Sequence, residues 1–151
     1  MNRLLLFVIS FFLLSSYSSQ SALYSSYNKK AIKLYEKAIV CYQDISPLNG
    51  RGNLPGAEEY LLKSLDKDST FSEAYILLSQ VKVKMGDINS AIFYKEKMMA
   101  VNPIVPLVEY FYLAGMHMAI GSYAKCLKNA VRYKNSPLAD QRYMGSIDKM
   151  I

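Results

Sequence analysis

The chain has 151 residues, of which 52% are hydrophobic and 20% are charged, and its formal net charge is +6. These values are typical of one ordinary globular domain, and they exclude a disordered or collagen-like polymer. Two cysteines cannot form a disulfide scaffold, and a single histidine is too few for a histidine-built metal site, so no metal is expected.

The N-terminal region has the three parts of a secretory signal peptide. Met1–Arg3 supplies a positive charge, Leu4–Leu14 is an apolar run of eleven residues with one serine, and Ser15–Ala22 is small and polar. Eleven residues are too few to cross a bilayer as a helix, which takes roughly 20, so the alternative of an uncleaved anchor is disfavoured. We expect residues 1–22 to be the signal peptide, with the cut within 18–22. The remainder is then exported without a transmembrane span and is periplasmic or associated with the outer membrane.

After the signal, apolar residues recur at helical spacing. Ile32, Tyr35, Ile39 and Tyr42 follow one another in steps of three and four residues, and no later stretch alternates as a strand would. Glycine, proline and asparagine punctuate the pattern and separate short segments. The predicted helices cover residues 28–44, 56–67, 71–85, 88–101, 106–120, 122–134 and 137–150.

These helices form a repeat of helix pairs. A bulky residue, a leucine, a small residue, a turn glycine, a second small residue and a closing proline recur in that order. One copy has Tyr75, Leu78, Ser79, Gly86, Ala91 and Pro103. The next copy has Tyr110, Leu113, Ala114, Gly121, Cys126 and Pro137. A weaker earlier copy has Leu34, Ala38, Ala57 and Leu61. The two turn glycines lie 35 residues apart, close to the period of about 34 of the tetratricopeptide repeat (TPR).

The chain therefore resembles the TPR family over about residues 28–137. The resemblance implies an all-α, TPR-like α-solenoid of about three helix pairs, at 28–69, 71–103 and 106–136, closed by a capping helix at 137–150. A plain helical bundle with coincidental spacing is the alternative. Lys82 and Lys95 stand where the pattern has bulky residues, which predicts a thinner seam in the second copy.

The resemblance also implies a concave groove lined by the first helix of each pair. Most of the residues that map to it are apolar or aromatic, which favours a groove that binds a protein or peptide partner. The predicted groove residues are Tyr35, Ile39, Tyr42, Ile76, Gln80, Lys84, Phe111 and Met118. The alternative is that further repeats or the capping helix fold against this surface. Some TPR domains grip a terminal carboxylate with Lys and Asn, but Tyr35 and Ile39 stand where that clamp would begin.

Other candidate sites have simpler interpretations. The segment Asp44–Gly56 is rich in Gly and Pro but lacks the parts of a phosphate-binding loop, so we expect a surface loop that lengthens the first turn. His117 and Cys126 map to packing positions, and we expect both to be buried. Cys41 is expected to be a second buried thiol, too far from Cys126 for a disulfide.

The basic residues of the first and sixth helices are expected to be solvated helix faces, with weak attraction to anionic lipid or polymer as the alternative. The two groups of basic residues lie far apart along the chain, and a helix pair that contains acidic residues separates them. No nucleic-acid partner is therefore expected. The sequence shows no polar catalytic cluster, and we expect a non-enzymatic protein without a cofactor.

A second resemblance concerns the cellular location of the protein. A signal peptide followed by residues 28–39 (NKKAIKLYEKAI), TPR-like pairs and a closing segment at 136–142 (SPLADQR) is similar to the N-terminal part of Bacteroidetes envelope proteins of the OmpA family, some of which serve type IX secretion. We expect an exported interaction scaffold that binds another protein through its groove in a bacterial envelope. The alternatives are an obligate structural subunit of an envelope complex, or the N-terminal fragment of a larger peptidoglycan-associated protein. The chain ends at Ile151, before the later domains of such proteins, so peptidoglycan binding is not carried over.

Overall fold

The computed structural model describes residues 24–44 and 52–151. Within these residues the chain is all-helical, as the repeat predicted, with seven helices and no strand. The helices are α1 (Lys29–Gln43), α2 (Leu54–Lys67), α3 (Ser72–Met85), α4 (Ile88–Val101), α5 (Val108–Ala119), α6 (Tyr123–Lys134) and α7 (Gln141–Asp148). The predicted signal peptide at 1–22 and most of the predicted loop, 45–51, lie outside the described residues.

Short polar side chains start four of these helices. Asn28, Asn53, Asp87 and Asp140 each accept a hydrogen bond from a backbone N–H of the first turn, which satisfies a donor that has no partner within the helix. The cap explains why α2 begins at Leu54, earlier than the predicted residue 56. It also explains why α7 begins at Gln141 rather than at 137, because the chain before Asp140 forms a turn.

Gly86 ends α3 in a left-handed conformation. Its φ is +83°, and the backbone N–H of Asp87 donates to Lys82 O at 2.9 Å, which closes the helix. A residue with a Cβ adopts this conformation at a cost, so the glycine of the repeat pattern has a physical reason here. The second turn glycine, Gly121, has the same sign of φ after α5.

Three helix pairs stack in chain order: α1 with α2, α3 with α4 and α5 with α6. Small residues let the helices approach, and the Oγ of Ser79 donates to Ala91 O across the second pair at 2.8 Å. The Oγ of Ser64 does the same across the first pair, to Ala31 O at 2.8 Å. Each bond satisfies a buried hydroxyl, so a polar small residue fits a position where alanine is also suitable.

Most of the buried apolar residues belong to one of two clusters. The first joins α1, α2 and α3 around Leu61, Phe71 and Leu78, and the second joins α5, α6 and α7 around Tyr133 and Ile147. Packing is sparser between α4 and α5 than between α2 and α3. The structure thus has a thin seam between the second and third pairs.

Candidate functional site

A cleft of about 430 Å³ spans the first helices of all three pairs. It lies between the two apolar clusters, where the packing of α4 on α5 is sparse. The residues lining it are Tyr42, Ser79, Gln80, Val83, Lys84, Lys95, Glu109, Tyr112 and Met116. We call this surface the central cleft. It combines aromatic and apolar walls with three ionisable side chains, which suits recognition of a peptide with both apolar and polar groups.

The floor of the central cleft is an ion pair. Lys95 Nζ on α4 lies 2.5 Å from Glu109 Oε2 on α5, and the two side chains are only 4% and 10% exposed. Lys95 occupies the position where the repeat has a bulky apolar residue. The carboxylate compensates the buried ammonium, so the seam is joined by a charge-assisted hydrogen bond instead of apolar packing.

The rim of the central cleft carries a second cation. Lys84 Nζ lies 3.8 Å from the ring centroid of Tyr42, a cation–π contact that joins the third helix to the first. No carboxylate of the described residues pairs with Lys84, in contrast to Lys95. The ammonium therefore remains available to a ligand at the mouth of the cleft.

The structure brings three of the predicted groove residues together in the central cleft: Tyr42, Gln80 and Lys84. It places the other five elsewhere. Ile39 packs against the first apolar cluster, Ile76 is half-buried on α3, and Met118 is exposed near the end of α5. Tyr35 and Phe111 are covered by other parts of the chain, as described next.

The N-terminal segment Tyr24–Asn28 covers Tyr35. The ring of Tyr24 lies 5.4 Å from that of Tyr35, and Phe71 completes the aromatic cluster from the other side at 4.9 Å. The backbone N–H of Ser25 donates to Glu73 Oε1 at 3.0 Å, which anchors the segment to α3. Burial, with smaller effects from Tyr24 and Glu73, raises the pKa of Tyr35 to about 12. Tyr35 thus holds the segment in place.

The capping helix covers Phe111. The ring of Phe111 lies 4.6 Å from that of Tyr143 on α7 and 5.9 Å from that of Tyr133 on α6. The Cε methyl group of Met150 lies beside Gly115, one turn further along α5. Both ends of the predicted groove are therefore filled by the chain itself, and the open part is the central cleft.

Sequence reasoning did not assign Lys95, Glu109, Tyr112 and Met116 to the groove. Lys95 carried a signal, because it breaks the apolar pattern of the second copy. Its partner Glu109 could have been sought on the following helix. Tyr112 and Met116 carried no such signal, since aromatic and methionine residues also occur throughout the core.

The thiol and imidazole at the third pair are structural groups. Cys126 is buried and free, and burial raises the pKa of its thiol, so the thiol is protonated and a weak nucleophile at neutral pH. His117 is also buried, and its Nδ1 has no hydrogen-bond partner. Burial and the nearby charge of Lys125 lower the pKa of His117. Cys41 is half-buried rather than buried, because it lies near the end of α1.

No helix of residues 24–44 and 52–151 combines the length and the apolar character needed to cross a membrane. No group of three His, Cys, Asp or Glu side chains within the same residues is placed to hold a metal ion.

Comparison with known proteins identifies the fold. No family model matches the chain, and no curated protein matches it. Among solved structures, the first TPR domain of Spaghetti (RPAP3) bound to an HSP90 peptide has a TM-score of 0.65, 15% identity, and coverage of 82% of this chain and 94% of that chain.

The type III secretion chaperone SycD of Yersinia enterocolitica, in complex with a peptide of the translocator YopD, has a TM-score of 0.62 and 16% identity. The match covers 79% of this chain and 87% of that chain. The TPR2B domain of yeast Sti1, in complex with pHsp70, has a TM-score of 0.61, 15% identity, and coverage of 80% and 92%. At these identities the likeness concerns the fold, and it confirms the predicted TPR-like α-solenoid.

Proposed function

We propose that this TPR-like chain is a non-enzymatic scaffold that binds an extended segment of another protein in the central cleft. The observation that carries the proposal is the cleft itself, because it is open, spans all three first helices and remains after both chain ends have filled the rest of the groove. Its walls belong to helices, so few side chains need ordering when a ligand binds.

The composition of the cleft supports a peptide ligand. Tyr42 and Tyr112 offer flat apolar surface, Gln80 offers an amide for backbone groups, and Lys84 offers an unpaired ammonium at the rim. The three similar structures support the same class of ligand, since each is a complex with a peptide or protein partner. We infer a partner segment that places an apolar side chain between the tyrosines.

The test is capture of partners by a variant with an altered cleft. Val83→Glu with Tyr112→Ala places a charge in the cleft and removes one aromatic wall. A matched control is Leu62→Glu with Phe93→Ala, the same chemical changes on α2 and α4 outside the cleft. All four natural side chains are between 41% and 52% exposed, so neither variant disturbs the core.

We expect the cleft variant to lose at least about 90% of the partner recovered from an extract of the host, which corresponds to a loss of roughly 1.4 kcal/mol or more. The control should retain its partner, and both variants should keep a helical circular dichroism spectrum. Equal recovery with both variants would refute the central cleft as the binding site. Light scattering on the purified chain tests the alternative of an obligate subunit, because such a subunit would not be a monomer.

We further propose that the chain acts outside the cytoplasm, in the periplasm or at the outer membrane of a bacterial envelope. The support is the pattern of residues 1–22 and the resemblance of the following segment to envelope proteins of the OmpA family. Fractionation of the host, with N-terminal sequencing of the recovered protein, tests the idea. The recovered protein is expected to begin directly after a cut within residues 18–22. An intact Met1 on a cytoplasmic protein would contradict it.

A further inference from the structure

Within residues 24–151, the C-terminal third carries more of the excess positive charge than the longer part before it. Residues 108–151 have six basic and three acidic side chains, a net charge of +3, whereas residues 24–107 have eleven basic and nine acidic ones. Helix α6 alone has four basic residues and no acidic residue. The charge is therefore concentrated on one end of the solenoid.

Three of these cations form a stripe on the exposed side of α6. Lys125, Lys128 and Arg132 follow one another at spacings of three and four residues, and all are exposed. No carboxylate of the described residues lies within ion-pair distance of any of them, whereas Lys134 pairs with Asp148 at 2.7 Å. We call these three residues the basic stripe.

The guanidinium of Arg132 is held in place. Its central carbon lies 4.2 Å from the ring centroid of Tyr110, and stacking of this kind leaves the N–H groups at the guanidinium edge free to donate. The carboxylate of Glu96 on α4 lies 3.9 Å from His117 Nε2 and forms no ion pair with the basic stripe. The basic stripe thus combines one oriented donor group with two mobile ammonium groups.

The exposed surface of α6 and of the turn before it also carries apolar side chains. Tyr123 and Leu127, one turn apart on α6, are 70% and 43% exposed, and Ile120 is exposed in the turn before them. Cations beside exposed aromatic and aliphatic residues are the chemistry that a bilayer interface takes, since phosphates attract the cations and the apolar groups enter the headgroup region. A nucleic acid would use the cations but not the aliphatic flank.

We propose that the outer face of α6 docks on the surface of an anionic lipid bilayer. The basic stripe contacts lipid phosphates, and Ile120, Tyr123 and Leu127 enter the headgroup layer. The contact is peripheral and reversible, because three cations and a small apolar flank do not anchor a protein permanently. The central cleft involves other helix faces, so docking leaves it open to a partner.

The experiment measures binding of the purified full chain to sedimenting lipid vesicles. Vesicles of phosphatidylcholine with about one third phosphatidylglycerol are compared with phosphatidylcholine alone, at low and at high salt. The test variant is Lys125→Gln, Lys128→Gln and Arg132→Gln. The matched control is Lys29→Gln, Lys30→Gln and Lys33→Gln, which removes the same charge from exposed positions on α1. All variants are prepared with the same N-terminus, so its contribution cancels in the ratios.

We expect the α6 variant to bind anionic vesicles roughly 100-fold more weakly than the natural chain at low salt, and the α1 variant to lose less than about threefold. Tyr123→Ala with Leu127→Ala should weaken binding several-fold without changing its salt dependence. Equal losses in the two charge variants would overturn the proposal, because net charge alone would then explain binding. Full competition by inorganic phosphate, or tighter binding to a DNA duplex than to anionic vesicles, would also overturn it.

Discussion

At the scale of single residues, the pair Lys95–Glu109 shows how one substitution changes the character of a seam. A bulky apolar residue at position 95 would join the second and third pairs by packing. The lysine instead requires a carboxylate from the next helix, and the pair is almost completely buried. The exchange leaves room for the central cleft above it.

The ion pair makes a testable prediction about stability. Lys95→Ala leaves the Glu109 carboxylate buried without a partner and should lower the free energy of unfolding by about 3–5 kcal/mol. The double variant Lys95→Met with Glu109→Leu should differ from the natural chain by less than about 2 kcal/mol, because no buried charge remains. Urea unfolding of the single and double variants measures both. Additive effects of Lys95→Ala and Glu109→Leu would contradict the coupling.

His117 makes a prediction about pH. Its pKa lies below the ordinary value of 6.5, chiefly because of burial and also because of Lys125, while Glu96 acts in the opposite direction. Between the folded pKa and 6.5 the unfolded chain binds more protons, so the contribution of His117 to stability is present above pH 6.5 and is lost as the pH falls below it.

The variant His117→Leu removes this titration. Its stability relative to the natural chain should rise as the pH is lowered from about 7.5 to about 5.5. Chemical unfolding at several pH values measures that difference directly. A difference that stays constant over the range would show that the imidazole does not titrate as its burial requires.

At the scale of the helices, the connections decide stability as much as the helices do. Gly52 lies against the C-terminal end of α1, and a Cβ added there would meet Cys41 O at 2.9 Å, with Tyr42 O closer still. Backbone atoms cannot move aside cheaply, so a glycine is needed for close approach. Gly145 on α7 is the opposite case, with open space around the position of a Cβ.

These two glycines form a matched pair of variants. Gly52→Ala should lower the free energy of unfolding by about 1–3 kcal/mol, since it overpacks the contact with α1. Gly145→Ala should raise it by about 0.5–1 kcal/mol, because alanine is the better helix former at an open position. Thermal unfolding of both variants shows whether each substitution lowers or raises the free energy of unfolding. A stabilising Gly52→Ala would mean that the chain at Gly52 does not approach α1 so closely.

At the scale of the whole molecule, the two apolar clusters define two cooperative units. Each pair of a stacked repeat contacts only its neighbours, and the contact of α4 with α5 is sparser than that of α2 with α3. Terminal segments then stabilise each unit separately, with Tyr24 on the first cluster and Tyr143 on the second.

Amide hydrogen exchange tests this division. In low denaturant, amides of α5 and α6 should exchange through an opening that leaves α1, α2 and α3 protected. Tyr143→Ala should increase the exchange rate in α5 and α6 at least about tenfold, with little change in α2. The reason is that the sparse contact between α4 and α5 couples the stabilities of the two units only weakly. Equal acceleration in both units would show a single cooperative core.

Much of the architecture followed from the sequence alone. The spacing of small residues and turn glycines predicted the helix pairs and the TPR-like fold. Small residues such as Ala38 and Ala91 mark positions where helices approach closely, and Gly86 marks a left-handed turn at the end of a helix. Tyr42, Gln80 and Lys84 were likewise predicted for the groove, because position within a repeat determines which face a helical residue occupies. Local chemistry and periodicity determine these features before the chain is folded.

Only the tertiary structure decided which part of the groove stays open. Tyr35 and Phe111 have the same position in their repeats as any groove residue, yet Tyr24 covers one and Tyr143 covers the other. Such contacts join residues far apart in sequence, and they depend on how the chain ends turn back onto the stack. The pairing of Lys95 with Glu109 has the same origin. A repeat pattern specifies how neighbouring helix pairs stack. The residue that contacts a buried charge or an exposed ring is determined only by the packing of the whole chain.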